Sequence, residues 1–276
     1  MSVDSTPHAS DAAGRGFVPR VLLVPAGLGI ALLVVPLVAL VGRVDWSTLV
    51  ADVTAPAALS ALALSLQTGL AATALCVVLG VPIALCIARA EERLAALLRA
   101  IVTVPLVLPP MVGGVALLFL FGRTGWLGPV LADWGVRVPF STPAVVLAQT
   151  FVALPFLVLA VEGALRSIGV GYEETAAALG AGRWRILWRV TLPLAAPGLV
   201  AGVILCFARA IGEFGATALF AGNAPGVTQT MPLAIYTAFN GAGVSQDTAI
   251  ALSLLLLATS IAVLLVVRAW RPGAAR

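Results

Sequence analysis

The chain alternates long apolar runs with short polar segments, and the runs have the length of membrane-spanning helices. A helix needs roughly 20 mostly apolar residues to cross a bilayer. Six runs reach this length, which predicts an all-α polytopic membrane protein with six transmembrane helices. They cover about 21–42, 59–88, 100–121, 143–163, 194–220 and 247–268. A membrane β-barrel would show segments of about ten residues with alternating hydrophobicity, whereas these runs are longer and continuous.

Composition agrees with this pattern, because 61% of the residues are hydrophobic and only 10% are charged. The first apolar run exceeds the 7 to 15 residues of a secretory signal core, so we expect it to stay attached. Residues 1–20 before it form a predicted cytoplasmic tail, and 21–276 form the predicted membrane domain. Every predicted loop is short, at about 30 residues or fewer. The function is therefore expected to lie in or against the membrane.

The arginines predict the orientation of the chain. All sixteen basic residues are arginine, and Arg43, Arg123 and Arg137 fall on one side of the six predicted spans, with Arg209 inside the fifth. The other twelve share the side of the two termini: Arg15, Arg20, Arg89, Arg93, Arg99, Arg166, Arg183, Arg185, Arg189, Arg268, Arg271 and Arg276. The positive-inside rule then places both termini in the cytoplasm. Topology accounts for the basic charge, and we expect no nucleic-acid partner.

Missing residue types exclude several kinds of chemistry. The chain has no lysine, so it cannot form the phosphate-binding loop G-x-x-x-x-G-K-[ST]. Its single histidine is His8, and Cys76, Cys86 and Cys206 lie in predicted spans without the spacing of metal ligands. No pairing of a nucleophile with a base suggests a hydrolase. We therefore expect a transport protein, with no catalytic residue, metal or cofactor of its own.

One polar stretch, residues 172–193, stands out between the fourth and fifth spans. Its first part favours a helix with Glu173 and Glu174 in the first turn, where the helix dipole stabilises acidic side chains. Gly180 can take the left-handed conformation that closes a helix. A second helix over 183–190 would follow, giving a helix, an elbow and a helix suited to docking on another protein. Alternatively, the stretch lies on the inner leaflet with its arginines on anionic headgroups.

The spacing within this stretch resembles the motif E-A-A-x-x-x-G-x9-I-x-L-P of the membrane subunits of ATP-binding-cassette (ABC) importers. The matching residues are Glu174, Ala176, Gly180, Val190, Leu192 and Pro193. Thr175 replaces the first alanine of the motif, and Val190 replaces its isoleucine. The resemblance implies a type I ABC importer permease fold. It also implies a coupling loop at about 166–193 that inserts into a separate ATPase subunit.

Other segments resemble permeases for tetrahedral oxyanions: PLVLPPMVGG at 105–114, FGRTGWLG at 121–128, FARAIGEFGATALFAGNAPG at 207–226 and TQTMPLAIY at 228–236. The last segment is more similar to molybdate and tungstate permeases than to sulfate permeases. The resemblance implies a homodimer with the path between protomers, two cytoplasmic ATPase subunits that bind ATP and Mg, and an extracytoplasmic binding protein. A sulfate or tungstate permease, a secondary anion transporter and a membrane anchor without transport activity are the alternatives.

The prolines of the third predicted span, Pro105, Pro109 and Pro110, are expected to bend or break it. Gly113 and Gly114 follow them and would permit close packing of helices.

A further group of polar residues falls within the predicted spans. Arg209 and Glu213 are four residues apart, which predicts one helix face. They either line the translocation path or form a buried ion pair. Gln67, Gln149 and Thr150 either line the path or bond between helices.

Overall fold

The computed structural model describes residues 19–241 and 246–269, and within these two ranges the chain is helical without a β-strand. The α-helices are α1 (Leu23–Val41), α2 (Leu49–Thr54), α3 (Pro56–Arg89), α4 (Glu92–Val107), α5 (Pro110–Phe121), α6 (Gly128–Asp133), α7 (Thr142–Ile168), α8 (Gly171–Ala178), α9 (Arg183–Ile186), α10 (Leu192–Ile211), α11 (Gly215–Phe220), α12 (Met231–Phe239) and α13 (Gln246–Ala269). A π-helical turn, Leu187–Thr191, joins α9 to α10. The predicted all-α class is confirmed, while most of the predicted tail at 1–20 lies outside the described residues.

The chain divides into two compact units after Val44. The first unit contains α1, which has a mean hydropathy of 2.5 and no buried residue. An apolar helix without a buried face is typical of a segment surrounded by lipid. The second unit contains α2 to α13 and all of the candidate site residues.

Four helical stretches are long and apolar enough to cross a membrane: Leu23–Val41, Pro56–Arg89, Thr142–Ile168 and Arg183–Ile211. The pair α4 and α5 makes a fifth if its two bent halves count as one span. In α13, only a shorter apolar stretch, Asp247–Val263, is found. The described residues thus form a multi-pass helical membrane protein with four or five such spans. The count of six spans stays a prediction.

The third predicted span is broken, as its prolines indicated. Helices α4 and α5 meet at an angle of 110°. Leu108 and Pro109 have extended backbones, with ψ of 135° and 133°, because a residue before proline is driven away from the helical region. Pro110 then begins α5, where its missing amide hydrogen costs nothing. The Pro109–Pro110 pair therefore converts one apolar run into two helices.

The fifth predicted span, 194–220, has the wrong bounds. The helix is continuous from Arg183 through the π-helical turn and α10 to Ile211, and α11 is a separate short helix. Pro193 consequently lies inside the long helix rather than before it. Its ring would clash with the carbonyl of Arg189 in a regular α-helix, and the wider π-helical turn at this point relieves that clash. At the other end, Gly212 leaves the helical conformation and separates α10 from α11.

The core of the second unit lies where α3, α7 and α10 meet. Its buried side chains are mostly small or aliphatic and include Cys76, Leu157, Val161 and Cys206. Helices α5 and α11 form a second close contact, in which a Cβ atom on Gly114 would lie 2.8 Å from the carbonyl oxygen of Ala216. The predicted close packing at this glycine is confirmed. Small residues let neighbouring backbones approach in membranes, where no hydrophobic force drives helices together.

Candidate functional site

The segment between α7 and α10 forms the predicted helix, elbow and helix. We call residues 171–191, from α8 to the π-helical turn, the α8–α9 segment. Gly180 closes α8 with φ of +82°, the left-handed region that favours glycine. The amide of Ala181 donates to the carbonyl of Ala176 at 3.0 Å, and the amide of Gly180 donates to that of Ala177 at 2.9 Å. This pair of bonds is the Schellman motif, so the predicted elbow at Gly180 is confirmed.

The motif residues around the elbow do not converge into one pocket. Glu174 is exposed and lines a cavity of about 630 Å³ between α8 and α9, together with Glu173 and Arg183. The other motif residues are spread along the segment, with Ala176, Val190 and Leu192 half-buried and Gly180 and Pro193 exposed. Large apolar side chains are also exposed around them: Tyr172, Leu179, Trp184 and Trp188. Such a surface is typical of a protein or membrane contact rather than of a catalytic centre.

Glu173, rather than Glu174, attaches α8 to the rest of the fold. Its Oε1 accepts hydrogen bonds from Arg89 Nη2 at 2.6 Å and from Thr191 Oγ1 at 2.7 Å, and its Oε2 accepts from Arg89 Nε at 3.2 Å. Burial raises the pKa of Glu173, but the hydrogen bonds from Arg89 and Thr191 outweigh it and hold the pKa below the ordinary glutamate value. Because Arg89 ends α3 and Thr191 precedes α10, this carboxylate joins three helical elements.

A second carboxylate that bonds arginines, the buried Glu162, lies six residues before the end of α7. It is 4% exposed and accepts from Arg99 Nε of α4 at 3.1 Å, while Arg166 Nε lies 2.9 Å from its Oε1. The sequence predicted neither these ion pairs of Glu162 nor the bonds of Glu173 to Arg89 and Thr191. The only local signal was an acidic residue near arginines on a predicted helix, and the partners Arg89 and Arg99 are 84 and 63 residues away.

Arg209 and Glu213 form an ion pair. This was one of the two interpretations of the sequence, the other being that they line the path. Arg209 Nη2 lies 2.7 Å from Glu213 Oε2, and the amide of Ala216 donates to Glu213 Oε1 at 2.8 Å. Glu213 is 1% exposed, whereas the Arg209 side chain is 26% exposed. Glu213 lies beyond the end of α10, so the prediction of one continuous helix face is wrong. The pair instead spans the break after α10 and caps α11, while a role in the path stays a prediction.

The remaining polar candidates differ in burial. Gln149 is fully buried, and neither atom of its amide has a hydrogen-bond partner among the described residues. Thr150 donates to the carbonyl of Val146 in its own helix at 2.7 Å, and Gln67 is exposed. No bond of these side chains to another helix is found within 19–241 and 246–269. Their proposed places in a path stay predictions.

The class of protein follows from this architecture and from the sequence family. The chain belongs to the family described as binding-protein-dependent transport system inner membrane components, whose model matches residues 77–272. It is 52% identical over 254 residues to the molybdenum transport system permease protein ModB of Mycobacterium tuberculosis, covering 92% of this chain and 95% of that protein. It is 38% identical to the sulfate transport system permease protein CysW of Synechococcus elongatus. That match covers 65% of this chain and 63% of CysW.

Solved structures show the same fold at low sequence identity. A bacterial ABC transporter involved in the import of the acidic polysaccharide alginate contains a chain that matches with a TM-score of 0.69. The match covers 90% of this chain and 92% of that one, at 18% identity. The predicted fold of an ABC importer permease is therefore confirmed, since the structural likeness agrees with the family assignment.

Proposed function

We propose that this chain is the membrane permease subunit of an ATP-driven molybdate importer in the plasma membrane. The main support for this proposal is the 52% identity of the chain to a molybdenum permease over 95% of that protein's length. The match to a sulfate permease is weaker in identity and shorter in coverage. Sulfate therefore ranks below molybdate as the transported oxyanion, and tungstate stays an alternative.

The proposed partners are two cytoplasmic ATPase subunits, an extracytoplasmic binding protein and a second copy of this chain. ATP and Mg would bind to the ATPase subunits, and this chain would need no cofactor. The α8–α9 segment is the proposed ATPase contact, because it projects Glu174 and the exposed Leu179 and Trp184 beside a fixed elbow. Both chain termini and this segment would face the cytoplasm, as the distribution of arginines predicts.

Transmission of the ATPase motion is proposed to pass through Glu173. A displacement of α8 moves this carboxylate, which is bonded both to Arg89 at the end of α3 and to Thr191 before α10. Both of these helices belong to the packed core with α7. Closure of the ATPase subunits would thus be passed to the helices around the path between protomers, and ATP hydrolysis would reset them.

The test is uptake of radiolabelled molybdate by liposomes that contain the chain, its ATPase and its binding protein. We expect uptake that requires ATP and all three components, with sulfate competing weakly. Preferred uptake of sulfate would move the assignment to the sulfate branch.

Liposomes that contain the chain without its ATPase and binding protein test whether the chain is a secondary transporter. Uptake driven by an ion gradient without the ATPase would instead indicate a secondary transporter. In cells, deletion of the chain should abolish molybdenum-enzyme activity at low external molybdate and spare it at high molybdate.

A further inference from the structure

A cavity lies near the Thr142 end of α7, the end opposite to α8. The proposed transport cycle does not use it. The cavity has a volume of about 690 Å³ and lies between the end of α5 and the segment that leads into α7. Two arginines, Arg123 and Arg137, line it. The other lining residues are nonpolar and include Leu118, Phe121 and Phe140. The cavity therefore combines two cations with a hydrocarbon wall.

Neither arginine has an acidic partner among the residues that the structure describes. No carboxylate of the described residues lies within ion-pair distance of Arg123 or Arg137, and Asp133 of the neighbouring α6 pairs with neither. Two cations that share a cavity without a counter-charge favour an anionic ligand. Guanidinium groups suit phosphate in particular because they can donate two parallel hydrogen bonds to its oxygens.

Both arginines lie on segments with a fixed backbone. The turn that contains Arg123 folds back on α5, with hydrogen bonds from Trp126 N to Phe119 O at 3.2 Å and from Leu127 N to Leu120 O at 2.8 Å. The turn is so tight that a Cβ atom on Gly128 would lie 1.7 Å from the carbonyl oxygen of Gly122.

The segment after Arg137 is fixed in a comparable way. Phe140 adopts φ of +59°, a strained value for a residue with a side chain, and its amide donates to Phe220 O at 3.2 Å. Backbone strain of this kind concentrates at ligand sites, where the surrounding structure maintains it. The cavity is thus held open by two constrained segments.

The surroundings favour a lipid as the source of the phosphate. Trp126 and Trp134 lie within the stretch of sequence, 118–140, that supplies the lining residues, and they are 89% and 76% exposed. Tryptophan is enriched where membrane helices meet the headgroup layer. Cavities of about 300 to 1,000 Å³ accommodate drug-sized ligands, so this one exceeds the needs of a single tetrahedral oxyanion. We infer that it binds the phosphate of an anionic phospholipid, with the apolar wall against the glycerol and upper acyl chains.

The test uses the purified full-length chain in neutral detergent, with phosphatidylglycerol as the probe and phosphatidylcholine as the uncharged comparison. Native mass spectrometry counts bound lipid for the wild type and for the double variant Arg123→Gln with Arg137→Gln. We expect roughly tenfold weaker phosphatidylglycerol binding by the double variant. Phosphatidylcholine binding should not change. Equal phosphatidylglycerol binding by the two proteins overturns the inference.

Two further variants separate the cavity from general charge and folding effects. Arg43→Gln removes an arginine from the same predicted side of the membrane but outside the cavity, and it should bind phosphatidylglycerol like the wild type. Ala132→Trp fills the cavity, which Ala132 lines, without changing its charge, and it should weaken binding as the double variant does. Equal losses with Arg43→Gln, or full binding by Ala132→Trp, contradict a site in this cavity.

The last two measurements compare the wild type and the double variant in their binding of sodium molybdate and of the binding protein. Binding of molybdate that depends on both arginines, with phosphatidylglycerol binding unaffected by their loss, assigns the cavity to a free oxyanion. Loss of binding-protein capture by the double variant, again with phosphatidylglycerol unaffected, assigns the arginines to acidic side chains of that partner. Either outcome overturns the lipid site, while retained uptake of molybdate by the double variant with lost lipid binding supports it.

Discussion

At the Ile168 end of α7, two glutamates each bond one arginine from another helix, whereas near the Thr142 end two arginines share a cavity that no carboxylate lines. The two ends are separated by the 27 residues of α7, about 40 Å of helix. At the first end the charges hold helices to one another. At the Thr142 end, tight turns rather than ion pairs hold the backbone. Arg123 and Arg137 are therefore available to bind a ligand. Charge therefore has a structural role at one end and is available for binding at the other.

The test with the largest expected effect compares two single variants, each of which removes one charge from one end of α7. Glu162→Leu should reduce the free energy of unfolding by about 2 kcal/mol, because it leaves Arg99 and Arg166 without their shared carboxylate. This figure lies below that of a fully buried pair, since both arginines are partly solvated. Arg137→Leu should leave the unfolding temperature in detergent unchanged. An equal loss in both variants would remove the distinction between the ends.

Replacing Glu162 and Arg99 together by leucine is the matched control. With both partners gone, less charge is left unpaired, and stability should recover towards the wild-type value. No recovery would mean that packing, rather than charge, explains the loss in the single variant.

A smaller effect is expected at Glu173, with a defined pH dependence. Glu173→Gln should cost about 1 to 2 kcal/mol of stability by weakening the charge-assisted bonds to Arg89. Since the folded-state pKa of Glu173 is below its unfolded value, this contribution is present above the unfolded pKa and lost as pH falls through the folded pKa. The variant's stability should therefore depend less on pH in that acidic range, as measured by thermal unfolding.

Transport separates the coupling role of Glu173 from a purely structural one. We expect Glu173→Gln to bind the ATPase normally and to lose molybdate uptake. The reversed pair, Arg89→Glu with Glu173→Arg, should restore part of the uptake. Full uptake by Glu173→Gln would contradict the proposed route of transmission.

The elbow should give an effect of about 1 to 2 kcal/mol. Gly180→Leu places a side chain in the left-handed conformation, which costs about 1 to 2 kcal/mol. It should also misplace the proposed ATPase contact and abolish uptake, as should Glu174→Arg, which leaves the fold intact. Gly182→Leu is the control, because Gly182 has φ of −71° and open space around its Cα. Uptake at wild-type level by both Gly180→Leu and Glu174→Arg would exclude the coupling role.

The smallest effect on stability is expected for Arg209→Leu combined with Glu213→Leu. Removing both charges leaves no unpaired partner, so the cost should stay at about 1 kcal/mol or less, mainly from the lost cap of α11. Molybdate uptake then separates the two roles. Uptake with unchanged anion preference means that the pair is structural, whereas loss of uptake by an assembled protein supports a place in the path.

The local signals of this sequence determined much of the fold. Hydropathy predicted a multi-pass helical protein, the Pro109–Pro110 pair predicted the break between α4 and α5, and Gly180 predicted the elbow after α8. Each of these features depends on residues within one or two helical turns, where backbone sterics and side-chain polarity act directly. The spacing around Gly180 also sufficed to place the chain in its family.

The tertiary structure alone decided which distant residues meet. Glu173 and Glu162 bond arginines 84 and 63 residues away, and Arg123 and Arg137 come to line one cavity. The end of α10 at Ile211 was also missed, because the apolar sequence continues across the break. Glu213 stabilises that break by bonding Ala216 and pairing with Arg209. Hydropathy carries no information about such contacts, since they depend on how the helices pack and on which charges that packing brings within bonding distance.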